Sequence, residues 1–230
     1  MRRYWHIAVI CIMMLAQTSC AVKVSSNISR GEAYAKLYKE SPASILVMPP
    51  INNTKNADAK DLFYASISHH IAEAGYYVIP PVMAMDVFKN ENAYDEEGLI
   101  SSSLNKFKEC FGADAVVFTI IDRWTKEAAA AYIDVKYVIK STKTNEVLFE
   151  RTCSLMLDLI RVSSTEGFAG LLADMLVTSM NVAMTEFIEA ARLANMYALE
   201  DIPYGKYSPL YLQDKEMMSI DRHVRVSVRR

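Results

Sequence analysis

No stretch of these 230 residues spells out a catalytic centre. A serine hydrolase needs its nucleophile on a sharp turn beside a base, and GxSxG is absent. Gly75, Gly98, Gly112, Gly167 and Gly170 are too scattered to form GxGxxG or a phosphate loop. Histidine is scarce, with only His69, His70 and His223 beyond the first nineteen residues. No CxxC or Cys/His cluster suggests a metal or a cofactor. Removing Arg2 and Arg3 with the N-terminal segment leaves 23 basic against 27 acidic residues, which excludes a globally basic nucleic-acid footprint. After the first twenty residues no run is long and apolar enough to span a bilayer, which takes about twenty residues.

What the chain does have begins at its N-terminus. Arg2 and Arg3 precede ten uncharged apolar residues, Ile7 to Ala16, followed by "QTSC". This is the layout of a secretory signal, and the run is too short for a transmembrane anchor. A small residue before Cys20 resembles the lipobox of bacterial lipoproteins, in which the cysteine is acylated and becomes the mature N-terminus. Gln17 departs from the Leu, Val or Ile of the usual box. Acyl chains such as palmitate contribute about 0.8 kcal/mol per buried methylene, so several of them anchor stably. Ala21 after the cysteine, rather than Asp, matches the sorting habit of outer-membrane lipoproteins, and the sequence leaves open which face the domain occupies. Of the remaining cysteines, Cys110 ends a predicted helix and Cys153 lies in a predicted strand. They can pair in an oxidising compartment, but buried free thiols are the expected state.

The pattern divides the chain into a signal peptide (1–19), a lipidated tether (20–30), an α/β domain (31–199) and a turn-rich extension with a basic tail (200–230). A short helix is expected from Gly31 to Glu40. "SILVMPP" has four consecutive apolar residues, Ile45 to Met48, the mark of a central strand covered on both faces. Leu62, Ile67 and Ile71 give helical spacing within 57–74, and Gly75 stops that helix. "YYVIPP" is a second short strand, followed by helices over 82–90 and 98–110. From Ala115 the period becomes two. One strand runs from Ala115 to Trp124; the next turns Ile133, Val135, Tyr137 and Ile139 to one face and Tyr132, Asp134, Lys136 and Lys140 to the other. A third starts at Glu146, making a meander. A long helix is expected from Thr165 to about Tyr197. One α/β domain follows, with a mixed sheet of about five strands flanked by helices.

Few residues invite a functional role. "HHIAE" places Glu73 four residues after His69 and three after His70, but adjacent histidines lie about 100° apart around a helix and do not both face one ion. A solvated helix face is the expected reading; a hydrolase or metal-dependent enzyme using these three is the sharper alternative. Asp114 in "FGAD" is expected to be a capping or loop residue rather than a catalyst. Contact surfaces are expected on the apolar late helix, at Leu171 and Met175, and on the segment bearing Tyr204, Tyr207 and Tyr211, because tyrosine combines contact area with a polar tip. The basic tail "HVRVSVRR" reads as solvated, with anionic lipid or glycan as its alternative contact.

"SILVMPPINNT" (44–54), "IAEAGYYVIP" (71–80), "FGADAVVFTI" (111–120) and "PYGKYSP" (203–209) together resemble the bacterial lipoproteins of domain of unknown function 799, which include a meningococcal surface antigen. The resemblance covers nearly the whole chain apart from 214–230. It implies a fold similar to the N-terminal domain of the Tol-system periplasmic protein and no assigned catalytic residue. It further implies a non-enzymatic, lipid-anchored component of an envelope complex, with a curli-secretion-channel-like lipoprotein as candidate partner; the apolar late helix adds a homo-oligomer as another option. Regulation of peptidoglycan synthesis is the alternative that similarity of fold to lipoprotein activators suggests.

Overall fold

A computed structural model describes residues 25–79, 100, 103–127, 130–158 and 180–228. The elements in order are β1 (Ser25–Ser29), α1 (Arg30–Ala33), α2 (Ala35–Glu40), β2 (Ser44–Val47), β3 (Ile51–Asn52), α3 (Asp58–Glu73), β4 (Tyr77–Ile79), α4 (Asn105–Phe111), β5 (Ala115–Glu127), β6 (Ala130–Ser141), β7 (Val147–Asp158), α5 (Met180–Leu199), β8 (Met218–Ile220) and β9 (His223–Val228). The predicted helix over 82–90 and the first part of the long helix, with Leu171 and Met175, lie outside the described residues.

The main sheet has the order β4-β2-β5-β6-β7-β9, with β3 also paired to β5. Its mixed character comes from parallel β4-β2-β5, an antiparallel β5-β6-β7 meander and a parallel β9. The mixed α/β architecture is as the sequence predicts, with seven strands in the sheet among the described residues rather than five. One addition is β3, two residues long; the other is β9, formed by the stretch expected to be a solvated tail. Val224 and Val226 fit beside Cys153 and Leu155 of β7, which gives this stretch an apolar reason to order. The expected tether is likewise corrected, since Ser25–Ser29 pairs antiparallel with β8 in a separate two-stranded ribbon.

β2 is buried on both faces: Ile45 and Val47 join the cluster under α3 and α5, while Leu46 and Met48 join Leu104, Phe107, Val116 and Phe118 on the other side. Phe63, Ile67 and Ile71 of α3 repeat every four residues and are fully buried. Ala190, Ala191, Ala194 and Ala198 give α5 the small side chains that let it approach the same layer. β6 alternates as predicted, sending Ile133, Val135, Tyr137 and Ile139 inward. β5 carries a register shift between Ile121 and Arg123. One extra residue reverses the inward parity, so Ile121 and Trp124 reach the same core. The Asp122 carboxylate at the bulge accepts from Asn53 Nδ2 at 2.8 Å.

The predicted helix from Gly31 to Glu40 is broken at Tyr34, whose φ of −120° ends α1 before α2 begins. Cys153 is buried as expected and free, and burial pushes its thiol up to about 12; Cys110 is also free but exposed, which corrects its expected burial.

Gly75 and Gly205 pack back to back. A Cβ on Gly75, at φ +90°, would sit 2.5 Å from Ser208 N, and one on Gly205 would sit 2.4 Å from the Gly75 carbonyl oxygen. Gly112 also has positive φ, +67°, but a Cβ there would meet nothing within 4 Å. Gly75→Ala is therefore expected to lower stability in urea unfolding by about 2 kcal/mol or more, against about 1 kcal/mol for Gly112→Ala. Equal losses would rule out the close approach as the cause.

Candidate functional site

The inward positions of β7 read Phe149, Arg151, Cys153, Leu155 and Leu157. An arginine in this row must find a counter-charge, because an isolated buried guanidinium is too costly to keep. Asp201, just after α5, supplies it: Arg151 Nη2 lies 2.7 Å from Asp201 Oδ1, and both side chains are 1% exposed. Tyr34 Oη donates to Asp201 Oδ2 at 2.5 Å and accepts from Arg151 Nη2. Ile220 N–H donates to the same Oδ2 at 2.8 Å. Burial, with the Asp201 carboxylate against the lowering pull of Arg151, drives the Tyr34 hydroxyl far above the usual phenol range, so it remains a donor.

A second buried pair lies alongside. Arg30 Nη1 stands 3.5 Å from Asp214 Oδ2, which also accepts from Tyr204 N–H at 3.1 Å. Tyr76 Oη donates to the Pro203 carbonyl at 2.6 Å, and Gly205 N–H and Tyr207 N–H donate to the carbonyls of Ala74 and Gly75. Residues 200–220 are thus clasped onto the domain. Beside the clasp opens a cleft of about 580 Å³ between the β1-β8 ribbon and the start of β7, with Ser26, Ile28, Lys36, Phe149, Ser219 and Arg222 in its walls.

Two further polar joints use motif residues. Asp114 Oδ2 accepts from Ala43 N–H at 2.9 Å and Ser44 N–H at 3.2 Å, and its other oxygen meets Lys108 Nζ. Partial burial pushes the Asp114 carboxyl upward, yet Lys108 and the two backbone donors outweigh it, and its pKa falls below the ordinary 3.8. Tyr137 Oη donates to Asn195 Oδ1 and Asn195 Nδ2 to Ser66 Oγ, both at 2.8 Å, linking β6, α5 and α3.

The histidine cluster is brought together only in part. His69 Nε2 is 3.2 Å and His70 Nδ1 3.5 Å from the two Glu73 oxygens. His69 and Glu73 are largely exposed, whereas burial lowers the His70 pKa despite Glu73 beside it. Among the described residues no group of three or more His, Cys, Asp or Glu side chains is placed to hold a metal. Of the expected contact tyrosines, Tyr207 is 69% exposed, while Tyr204 and Tyr211 are half-buried. Sequence reasoning missed a shallow groove of about 350 Å³ on the outer sheet face, where the Arg123 guanidinium sits 4.5 Å over the Tyr132 ring beside Asp134, Met156 and Arg225. The alternation of β6 marked its Tyr132 and Asp134 in advance; recognising β9 as a strand would have marked Arg225.

A family model described as "Putative lipoprotein GNA1162-like" matches residues 32–202. A curated protein of Neisseria meningitidis serogroup B described as "Putative lipoprotein NMB1124/NMB1162" is 28% identical over 111 residues, 48% of this chain and 50% of the relative. The chain thus spans about half the length of the curated relative it matches. Among solved structures, lipoprotein GNA1162 from Neisseria meningitidis is 26% identical with a TM-score of 0.45, over 59% of this chain and 94% of that one. The LpoB C-terminal domain from Escherichia coli is 12% identical with a TM-score of 0.37, over 54% and 93%. At these TM-scores neither likeness carries a functional argument.

Two measurements test the joints. Asp201→Ala is expected to cost about 3–5 kcal/mol in urea unfolding by stranding Arg151, and Arg151→Met with Asp201→Leu to recover most of that loss. No recovery would mean that the clasp depends on more than the charge pair. For Asp114, whose folded pKa is depressed, the stabilisation is full above the ordinary 3.8 and disappears as pH falls through the lower folded value. The stability gap between the native chain and Asp114→Asn should therefore hold steady near neutrality and close below about pH 3.8; a gap unchanged at pH 2.5 would contradict the assignment.

Proposed function

Because the chain belongs to the GNA1162-like lipoprotein family, we propose that it is a lipid-anchored binding module of the cell envelope, acylated at Cys20 and held at the outer membrane. The observation that carries this reading is the family match combined with a small residue and cysteine closing a ten-residue apolar run, Ile7 to Ala16. No described helix is long and apolar enough to cross a membrane. Ala21 after the cysteine supports outer-membrane sorting.

The polar groups favour binding over catalysis. Arg151, Asp201, Arg30 and Asp214 are buried in mutual pairs that hold the C-terminal segment, and Asp114 braces two strand starts. The groups left accessible make surfaces: the groove of Arg123, Tyr132 and Arg225, and the segment of Tyr204, Tyr207 and Tyr211, of which Tyr207 offers the most area. An envelope protein fits the outer sheet face, where an edge strand, aromatic area and charges of both signs occur together. Leu171 and Met175 remain candidate contacts of the same reading.

The test is mass spectrometry of the mature N-terminal peptide from detergent-extracted membranes of cross-linked cells, with attached proteins identified in the same run. We expect acylated Cys20 and a recurrent envelope protein whose yield falls several-fold with Arg123→Glu plus Arg225→Glu, a half-buried and an exposed charge on the sheet groove. An unmodified N-terminus would overturn the anchor; undiminished capture by the double variant would overturn the docking face.

A further inference from the structure

Large apolar side chains stand in water singly on most proteins, but groups of them mark a contact surface. Ile28, Tyr207, Leu210, Leu212, Met217 and Met218 are all exposed, and they come from β1, β8 and the turn leading into β8. Ser29 pairs with Met218 across the ribbon. Arg30 N–H donates to the Met217 carbonyl at 2.8 Å and Gly31 N–H to the Lys215 carbonyl at 2.9 Å. Asp214, held by Arg30 and Tyr204 N–H, pulls the preceding turn onto the same ribbon.

The ribbon is also where the chain enters the fold. Only residues 21–24 separate Cys20 from Ser25, and five fully extended steps reach at most about 18 Å. Side chains seated at a bilayer interface lie about 5–10 Å into the headgroup and acyl boundary, so a tether this short holds the surface around β1 at the lipid.

We infer that the partner of this surface is the bilayer itself: Leu210, Leu212, Met217 and Met218 enter the interface, with Lys215 and Arg222 at the level of the phosphates. The inference rests on acylation of Cys20. It fixes the orientation of the domain: the ribbon shares a cleft with the start of β7, the end of the sheet where β5 begins, and Lys126 stands roughly 35 Å of strand away from Ala115. The cleft walls that β1 shares with Phe149 then open near the membrane, and the Glu127 end of β5 points from it.

The test uses the full chain, extracted and reconstituted in phosphatidylethanolamine and phosphatidylglycerol vesicles with brominated acyl chains, and carrying Met218→Trp, Leu210→Trp or Lys126→Trp. Beyond residue 19 the native chain has a single tryptophan, Trp124, and it is 3% exposed, which gives a constant background. Emission from positions 218 and 210 is expected to fall about twofold or more against unbrominated vesicles, while position 126 stays unchanged. Leu212→Trp replaces either probe that fails to accumulate. Floating protein with acylated Cys20 and equal or absent quenching at all three positions overturns the orientation and leaves the anchor standing. Absent quenching with cross-links between copies through position 218 makes the surface a dimer contact and overturns the inference as well. Protein that does not float, with an unmodified Cys20 peptide, overturns both readings.

Discussion

One charge on the wrong side of a strand organises much of this molecule. Arg151 occupies an inward position of β7, among Phe149, Cys153 and Leu155, where only a buried acceptor makes it tolerable. That acceptor, Asp201, lies beyond α5, so the helix must end where it can deliver the carboxylate. Tyr34 must leave the helical path to reach the same carboxylate, which divides α1 from α2. Asp201 also receives Ile220 N–H, and through it the β1-β8 ribbon takes its place. A buried ion pair adds little net stability over an apolar pair of similar volume. Here three elements converge on one carboxylate, so the pair selects a single seating for residues 200–220.

The stretches that carry the family resemblance meet in pairs. "IAEAGYYVIP" touches "PYGKYSP" through Gly75 and Gly205, and Tyr76 reaches Pro203. "FGADA" meets the start of "SILVMPP" through Asp114, Ala43 and Ser44. In "INNT", Asn53 holds the bulge of β5. These residues are joints between elements distant in sequence. This explains why distinctive motifs coexist with no recognisable chemistry at the same positions.

The mixed sheet, the doubly covered strand at Ile45 to Val47 and the meander are legible because each rests on hydrophobic period, a local property. Both chain ends depart from their sequence reading for the complementary reason. "SSNIS" and "HVRVSV" are short and polar or basic, and each orders through a partner far along the chain: Met218–Ile220 for the first, β7 for the second. No local signal announces such a pairing. Arg151 is a signal the pattern does contain, since a charge in phase with four apolar neighbours implies a distant counter-charge. The open sheet groove stays hidden because half of it belongs to β9.

The position of β9 has a consequence for how the domain comes into being. Its strand partner spans residues 152–157, yet β9 itself is residues 223–228, far along the sequence from it. Asp201 and Ile220 are similarly late. Until those residues have been made, Arg151 has no acceptor and the β7 edge lies bare. The sheet therefore carries an unmatched charge and an open edge until segments distant in sequence have been made and packed.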